Sequence, residues 1–237
     1  MWWKPRVGAI KWMPLSWCWQ GGQEAGHALA DVLVGKVNPS GKLPTSFSLR
    51  YDDVPSAAHF PGQRLAGATE HFVGPLSKGW DSEVTYAEGI YVGYRHYCSH
   101  QQAVAYPFGF GLSYTVFTYS SLRISSTVFQ ERLSVTVDIT NSGTVAGKEV
   151  VQVYVSAPAV SMHKPALELR AFAKTKLLEP GETQTLCFTL TERDLASWSL
   201  ETHGWVVDKG VYWVKVGASC VDVRAAVEFA VERGLSG

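Results

Sequence analysis

Residues 84–119 read VTYAEGIYVGYRHYCSHQQAVAYPFGFGLSYTVFTY. Ten aromatic side chains fall in this stretch, from Tyr86 to Tyr119, interleaved with Gly89, Gly93, Gly109 and Gly111. Aromatic rings each bury a large area, and glycines let backbone pass close to backbone or take a positive φ. That mixture predicts a seam between two packed units rather than one regular strand. Upstream the chain reads as strand, turn and helix; downstream it reads as all-β.

Beyond the seam the hydrophobic period is two. Leu133, Val135, Val137 and Ile139 alternate with Ser134, Thr136 and Asp138, and Val151, Val153 and Val155 repeat the pattern after the turn at Asn141-Ser142-Gly143. Glu179-Pro180-Gly181-Glu182 precedes Leu186, Phe188 and Leu190, and Asp208-Lys209-Gly210 separates Trp205–Val207 from Tyr212, Val214 and Val216. Val221, Val223, Ala225, Val227 and Phe229 share a last face, and shorter strands fit Leu122–Ile124 and Leu167–Phe172. About seven strands with turn signals between them predict a fibronectin- or immunoglobulin-like β-sandwich over residues 115–237. The cysteines lack the Cys…Trp…Cys arrangement of antibody domains.

Before the seam, Ala25, Ala28, Leu29, Val32 and Leu33 recur at helical spacing, with Gly35 as a C-terminal cap and Asn38-Pro39-Ser40-Gly41 as a turn. Leu43–Phe47 reads as a short strand, which completes the grammar of an α/β layer. Residues 50–83 are polar, rich in Gly, Pro and Ser, and without period, so they predict a long loop. Five tryptophans in the first nineteen residues, with no regular period, resemble a core segment parted from its surroundings, as if the chain starts inside a domain. Lys11 and Pro14 interrupt the apolar run there, and no small-residue cleavage site follows, which argues against a signal peptide.

Hydrophobic residues at 46% and charged residues at 18% describe a globular chain with ample core. Lys plus Arg balance Asp plus Glu at 21 each, and no basic tract stands out. This argues against nucleic acid and acidic membranes as partners. No run approaches the ~20 apolar residues of a membrane-spanning helix. Cys18, Cys98, Cys187 and Cys220 lie far apart with no CxxC, so free thiols are expected rather than a disulfide framework or zinc module. Asn38-Pro39-Ser40 matches a glycosylation acceptor but is blocked by its proline. None of this assigns a compartment.

The candidate chemistry is sparse. His96, Cys98 and His100 alternate and would face one way in a strand, as part of a metal corner, but no fourth ligand is evident and an ordinary loop fits better. Gly109-Phe110-Gly111-Leu112-Ser113 lacks the spacing of a nucleophile elbow. Asp52-Asp53 point apart if extended and make a poor acid/base pair. Glu24, Glu88 and Asp81 are the carboxylates nearest the seam. Glu24 opens the helix and complements its dipole, and Glu88 is positioned to pair with Arg95. Gly21-Gly22 before the helix suits a tight turn better than a phosphate cradle, since no Lys-Ser/Thr follows.

The blocks Gly22-Gln23-Glu24-Ala25-Gly26-His27-Ala28-Leu29-Ala30-Asp31-Val32-Leu33 and Asn38-Pro39-Ser40-Gly41-Lys42-Leu43-Pro44 resemble glycoside hydrolase family 3. So do Tyr86-Ala87-Glu88-Gly89-Ile90-Tyr91-Val92-Gly93-Tyr94-Arg95 and Pro107-Phe108-Gly109-Phe110-Gly111-Leu112-Ser113-Tyr114, and within the family the likeness is greatest to β-glucosidases. The resemblance implies a mainly β chain, with a fibronectin type III-like sandwich preceded by a partial α/β sandwich segment. It places the end of the α/β domain at 1–50, a linking loop and seam at 51–114 and the sandwich at 115–237. In the family the nucleophilic Asp belongs to a (β/α)8 barrel, and the acid/base Glu precedes the Gly-Gln-Glu block. Glu24 does not match that position, so no catalytic, cofactor or metal residue is expected in this chain. A β-glucoside or oligosaccharide would be a substrate only of the full-length enzyme with its barrel. Cys98 stands where the family often has an Asp. Two other readings stay open: a stand-alone module binding carbohydrate or protein through the seam, and a piece of a family 3 β-xylosidase.

Overall fold

A computed structural model of the chain describes residues 22–75 and 77–236. The tryptophan-rich segment at the N-terminus, and the readings made of it, lie outside the described residues. The chain divides into two compact units, with the break between Asn38 and Pro39.

In the first unit, helix α1 (Ala25–Leu33) forms where the apolar spacing predicts it. Gly35 closes it at φ +76°, with its N–H on the Val32 carbonyl at 3.0 Å. An L-residue with a side chain would be strained there, which is why glycine ends this helix.

The second unit opens with short pieces of strand: β1 (Phe47–Ser48), β2 (Gln63–Arg64), β3 (His71–Gly74), β4 (Ser77–Gly79) and β5 (Ser82–Glu83). Helix α2 (Tyr94–Ser99) and β6 (Val104–Tyr106) follow. The strand expected over Leu43–Phe47 is confined to β1, because Pro44 removes a donor and the preceding backbone bonds to the seam instead. The loop expected over 50–83 carries two small ladders, β2 with β5 and β3 with β4, and two single 3₁₀ turns at Tyr51–Asp53 and Ala57–His59.

The rest is β7 (Phe117–Ile124), β8 (Arg132–Asn141), β9 (Val150–Ser156), β10 (Glu168–Lys174), β11 (Thr183–Thr191), the one-turn helix α3 (Glu192–Leu195), β12 (Ser197–Ser199), β13 (Gly204–Val207), β14 (Gly210–Gly217), β15 (Val223–Val231) and β16 (Leu235–Ser236). Two antiparallel sheets, ordered β11-β8-β7 and β10-β9-β14-β15, contain seven strands and face each other as a sandwich. The alternating residues meet between them: Leu133, Val135, Val137 and Ile139 from β8, Val151, Val153 and Val155 from β9, and Tyr212, Val214 and Val216 from β14 are all buried in one cluster. The mainly β, fibronectin type III-like class is therefore the fold observed. Two strand readings need adjusting. Trp205–Val207 sits in a separate sheet, β12-β13-β16, and Val221 precedes β15 because Ser219 Oγ accepts from Asp222 N–H (3.0 Å) and holds a turn there.

One strand departs from the one-sided pattern. In β9, Gln152 and Tyr154 alternate with the core valines yet are 3% and 0% exposed. The outer face of β9 is covered, and its cover is the seam.

Candidate functional site

The seam is a clamp built from three stretches of chain. Helix α2 starts after Gly93, which takes φ +59°, and its residues Tyr94, Tyr97 and Cys98 fall one helical turn apart and face inward. Tyr94 stacks on Phe108 with ring centroids 4.5 Å apart and meets Tyr154 edge-on at 6.2 Å. Together with Leu167, Leu169, Cys98 and Cys220 these rings form a second apolar cluster on the outer face of β9. The Tyr94 hydroxyl accepts the Leu169 N–H at 2.8 Å, and Ser99 Oγ accepts the Ala166 N–H at 2.9 Å. Arg95 pairs with Glu168 at 3.5 Å, which also holds Arg170 at 2.6 Å.

The Pro107–Tyr114 block supplies the second stretch. Gly109 has φ +81°, and a Cβ built on it would lie 2.0 Å from Gln152 Oε1. Its carbonyl accepts from Gln152 Nε2 at 3.1 Å, the same amide donates to Ala218 O at 2.7 Å, and the Tyr154 hydroxyl donates to Gln152 Oε1 at 2.5 Å. Cys220 N–H donates to Phe108 O at 3.1 Å. Glycine at 109 is thus required twice, by its backbone angle and by the amide packed against it.

The third stretch is Pro39–Phe47. Leu43 N–H donates to Phe110 O and Gly109 N–H donates to Leu43 O, both at 2.8 Å, and Phe108 N–H donates to Ser46 Oγ at 3.2 Å. Gly111 lets the two strings cross, since a Cβ there would come within 2.3 Å of the Gly41 carbonyl. Lys42 reaches into the sandwich and pairs with Glu149 at 2.9 Å, with both side chains largely buried (13% and 8% exposed). The Tyr119 hydroxyl donates to the same Glu149 carboxylate at 3.1 Å, and burial beside that carboxylate pushes the phenol far above its ordinary range. A buried charge needs such partners to be tolerated. Two blocks far apart in the sequence are therefore the two halves of one structure.

The sequence-derived candidates are dispersed. Glu24 is the N-cap of α1, exposed, with its carboxylate 2.5 Å from His27 Nδ1, and a carboxylate in that place opposes any phosphate on the Gly22 turn. Asp53 pairs with Arg50 and accepts its N–H, Asp52 is exposed, and Asp81 lies 3.8 Å from His71. Glu88 does not pair with Arg95 as expected, because Arg95 is drawn to Glu168 on β10. His96, Cys98 and His100 are not an alternating strand or loop. They lie on and just after α2, which turns the two imidazoles to one side (ring centroids 4.4 Å apart) and the thiol to the other. His96 Nε2 contacts Gln102 Oε1 at 3.0 Å, and His100 Nδ1 donates to the His96 carbonyl at 2.9 Å. With Pro55, Ala87, Glu88 and Tyr91 they line an open hollow of about 280 Å³. Among the described residues, no three His, Cys, Asp or Glu side chains gather as a metal site. No helix among them is long and apolar enough to cross a membrane.

The sequence reading missed Gln152, Asn141 and the Lys42–Glu149 pair. Asn141 is fully buried where β8 ends: its Oδ1 accepts from Thr115 Oγ1 (2.7 Å) and Gly143 N–H (3.2 Å), and its Nδ2 donates to the carbonyls of Val145 (2.9 Å) and Leu178 (2.8 Å). Gln152 between Val151 and Val153 reads like any outward-facing polar residue of an alternating strand, and Asn141 like a turn residue, so neither carried a signal of its burial.

Comparison with known proteins gives the class of this arrangement. Residues 149–220 match the fibronectin type III-like domain and residues 1–94 match the glycosyl hydrolase family 3 C-terminal domain. The chain belongs to glycoside hydrolase family 3 and corresponds to the C-terminal part of its β-glucosidases. It is 40% identical over 235 residues to β-glucosidase B of Emericella nidulans, an alignment covering 97% of this chain and 26% of that protein. It is 42% identical over 226 residues to a β-glucosidase of Rhizobium radiobacter, covering 95% and 25%. Among solved structures, β-glucosidase 3B of Thermotoga neapolitana in complex with α-D-glucose superposes with a TM-score of 0.81 at 45% identity, over 92% of this chain and 28% of that one. The chain thus spans about a quarter of the length of the relatives it matches.

Proposed function

We propose that this chain is the supporting C-terminal part of a β-glucosidase, and that the enzyme it serves removes terminal β-D-glucosyl residues with carboxyl groups from outside these residues. In this reading residues 1–50 belong to the α/β domain, 51–114 are the link, and 115–237 are the sandwich. The observation that carries the proposal is the likeness to β-glucosidase C-terminal parts in both sequence and structure, at 45% identity and a TM-score of 0.81. The side chains agree with a supporting role. A retaining glycosidase needs two carboxyls about 5–5.5 Å apart, one of them held protonated as the acid. Glu149 and Glu168 are instead committed to cations, and Asp138, Glu182 and Asp208 are all held below the usual carboxylate range. The last three stay ionised near neutral pH and are poor proton donors to a leaving group.

The test is a chimera in which residues of this chain replace the matching C-terminal part of the Thermotoga enzyme. Cooperative melting together with hydrolysis of a chromogenic β-glucoside is the expected result. A chimera that melts cooperatively but leaves the glucoside untouched overturns the proposal.

A further inference from the structure

We propose that Cys98 and Cys220 form an oxidisable dithiol whose disulfide staples the seam to the sandwich. Cys98 is on the inward face of α2, and Cys220 lies in the turn between β14 and β15, so the two come from opposite sides of the clamp. Both pack into the small apolar cluster around Tyr154 and Leu167. Backbone contacts hold each in place: Cys220 N–H is on the Phe108 carbonyl at 3.1 Å, and the next residue after Cys98, Ser99, accepts the Ala166 N–H at 2.9 Å. Two cysteines packed into one small cluster, each on anchored backbone, are placed to bond.

The environments divide the roles. The hydrogen bond from Cys220 draws the Cys98 thiol below its ordinary range, and Cys98 is only half-buried. Cys220 is 4% exposed and is pushed the other way, first by that same hydrogen bond and then by burial. The thiolate is the attacking species, so Cys98 is the entry point. With a small disulfide RSSR as oxidant, Cys98 S⁻ attacks one sulfur, the S–S bond of RSSR breaks, and RS⁻ leaves as the mixed disulfide forms. Cys220 then loses its proton and attacks the Cys98 sulfur, expelling the second RS⁻. The protein loses two electrons and two protons, and RSSR becomes 2 RSH.

Oxidised glutathione is the probe, applied to the folded 237-residue chain, followed by alkylation, proteolysis and mass spectrometry. The expected product is a Cys98–Cys220 linked peptide, with a melting temperature raised by at least about 5 °C and restored by dithiothreitol. In a Cys18→Ala, Cys187→Ala background, Cys220→Ser should trap glutathione on Cys98, whereas Cys98→Ser should leave Cys220 unmodified while the chain is folded. The proposal is overturned if both thiols alkylate fully after oxidation, or if Cys98 keeps glutathione while Cys220 remains present.

Discussion

Gly109→Ala probes the tightest point of the clamp. The substitution puts an L-residue at φ +81°, which costs about 1–2 kcal/mol. It also places a Cβ 2.0 Å from Gln152 Oε1 and 2.8 Å from Cδ and Nε2 of the same side chain. Gln152 is 3% exposed and its amide is tied to Gly109 O, Ala218 O and the Tyr154 hydroxyl. To yield, it must give up those bonds at about 1 kcal/mol each, and more where a buried carbonyl is left without a partner. The sum is about 4–6 kcal/mol, a large part of the ~5–15 kcal/mol that holds an ordinary domain together. For a chain of this size that lowers the melting temperature by about 10–20 °C. Gln152→Ala alone should cost about 3 kcal/mol through the three groups it leaves unpaired. It also removes the obstacle, so the double variant should be more stable than the sum of the single losses by about 3 kcal/mol, the Gln152 bonds being lost only once. Denaturant melts of the four proteins measure this cycle. A Gly109→Ala loss below about 1 kcal/mol, or strict additivity, would refute the reasoning.

Asn141→Ala should cost about 3 kcal/mol or more in the same melts, because four bonds end at that buried amide and the carbonyls of Val145 and Leu178 lose their donor. Burial opposes ionisation of Asp208, but Lys164 at 2.7 Å and the bonds from Ser161 outweigh it and hold the carboxyl below its ordinary range. Its folded pKa is depressed, so its contribution to stability is complete above the unfolded value near 4 and fades as pH falls below that. Asp208→Asn should therefore flatten the acid limb of a melting-temperature profile, and an unchanged slope below about pH 4 would count against the pair. Residues 115–237 alone should give a β-rich spectrum but melt below residues 39–237, since Tyr154, Leu167 and Cys220 lose their cover; equal melting would show that the seam adds nothing.

The sandwich was legible because strands such as β8 and β11 have one wet face and one dry face, and period two writes that difference into the sequence. The alternation of β8 alone gives its register, and Gly35 marks the end of α1 through a backbone angle that only glycine takes without strain. The seam was visible as composition but not as geometry. Helix α2 has six residues, too few for a 3.6-residue period to stand out, and the spacing of His96, Cys98 and His100 imitates a strand. The spacing that did decide it, Tyr94 with Tyr97 and Cys98, is helical, and it could be seen only by asking which aromatics share a face. The Glu88–Arg95 expectation failed for a related reason. Proximity in sequence says little across a clamp, and Arg95 found its carboxylate on β10. The partners of Lys42 and Cys98 are likewise set by tertiary contact and leave no local signature.

The most direct measurement is hydrolysis of a chromogenic β-glucoside by the purified 237-residue chain, alongside a melt showing that the sandwich is folded. Retaining catalysis requires a correctly spaced carboxyl pair in a pocket that orients the sugar, and Glu24, Glu88 and Asp81 are the carboxylates that the sequence offered as candidates. The expected result is a folded protein with no release of product above background. Product formation that disappears with Glu24→Gln or Glu88→Gln would contradict the supporting role and make this chain an enzyme in its own right.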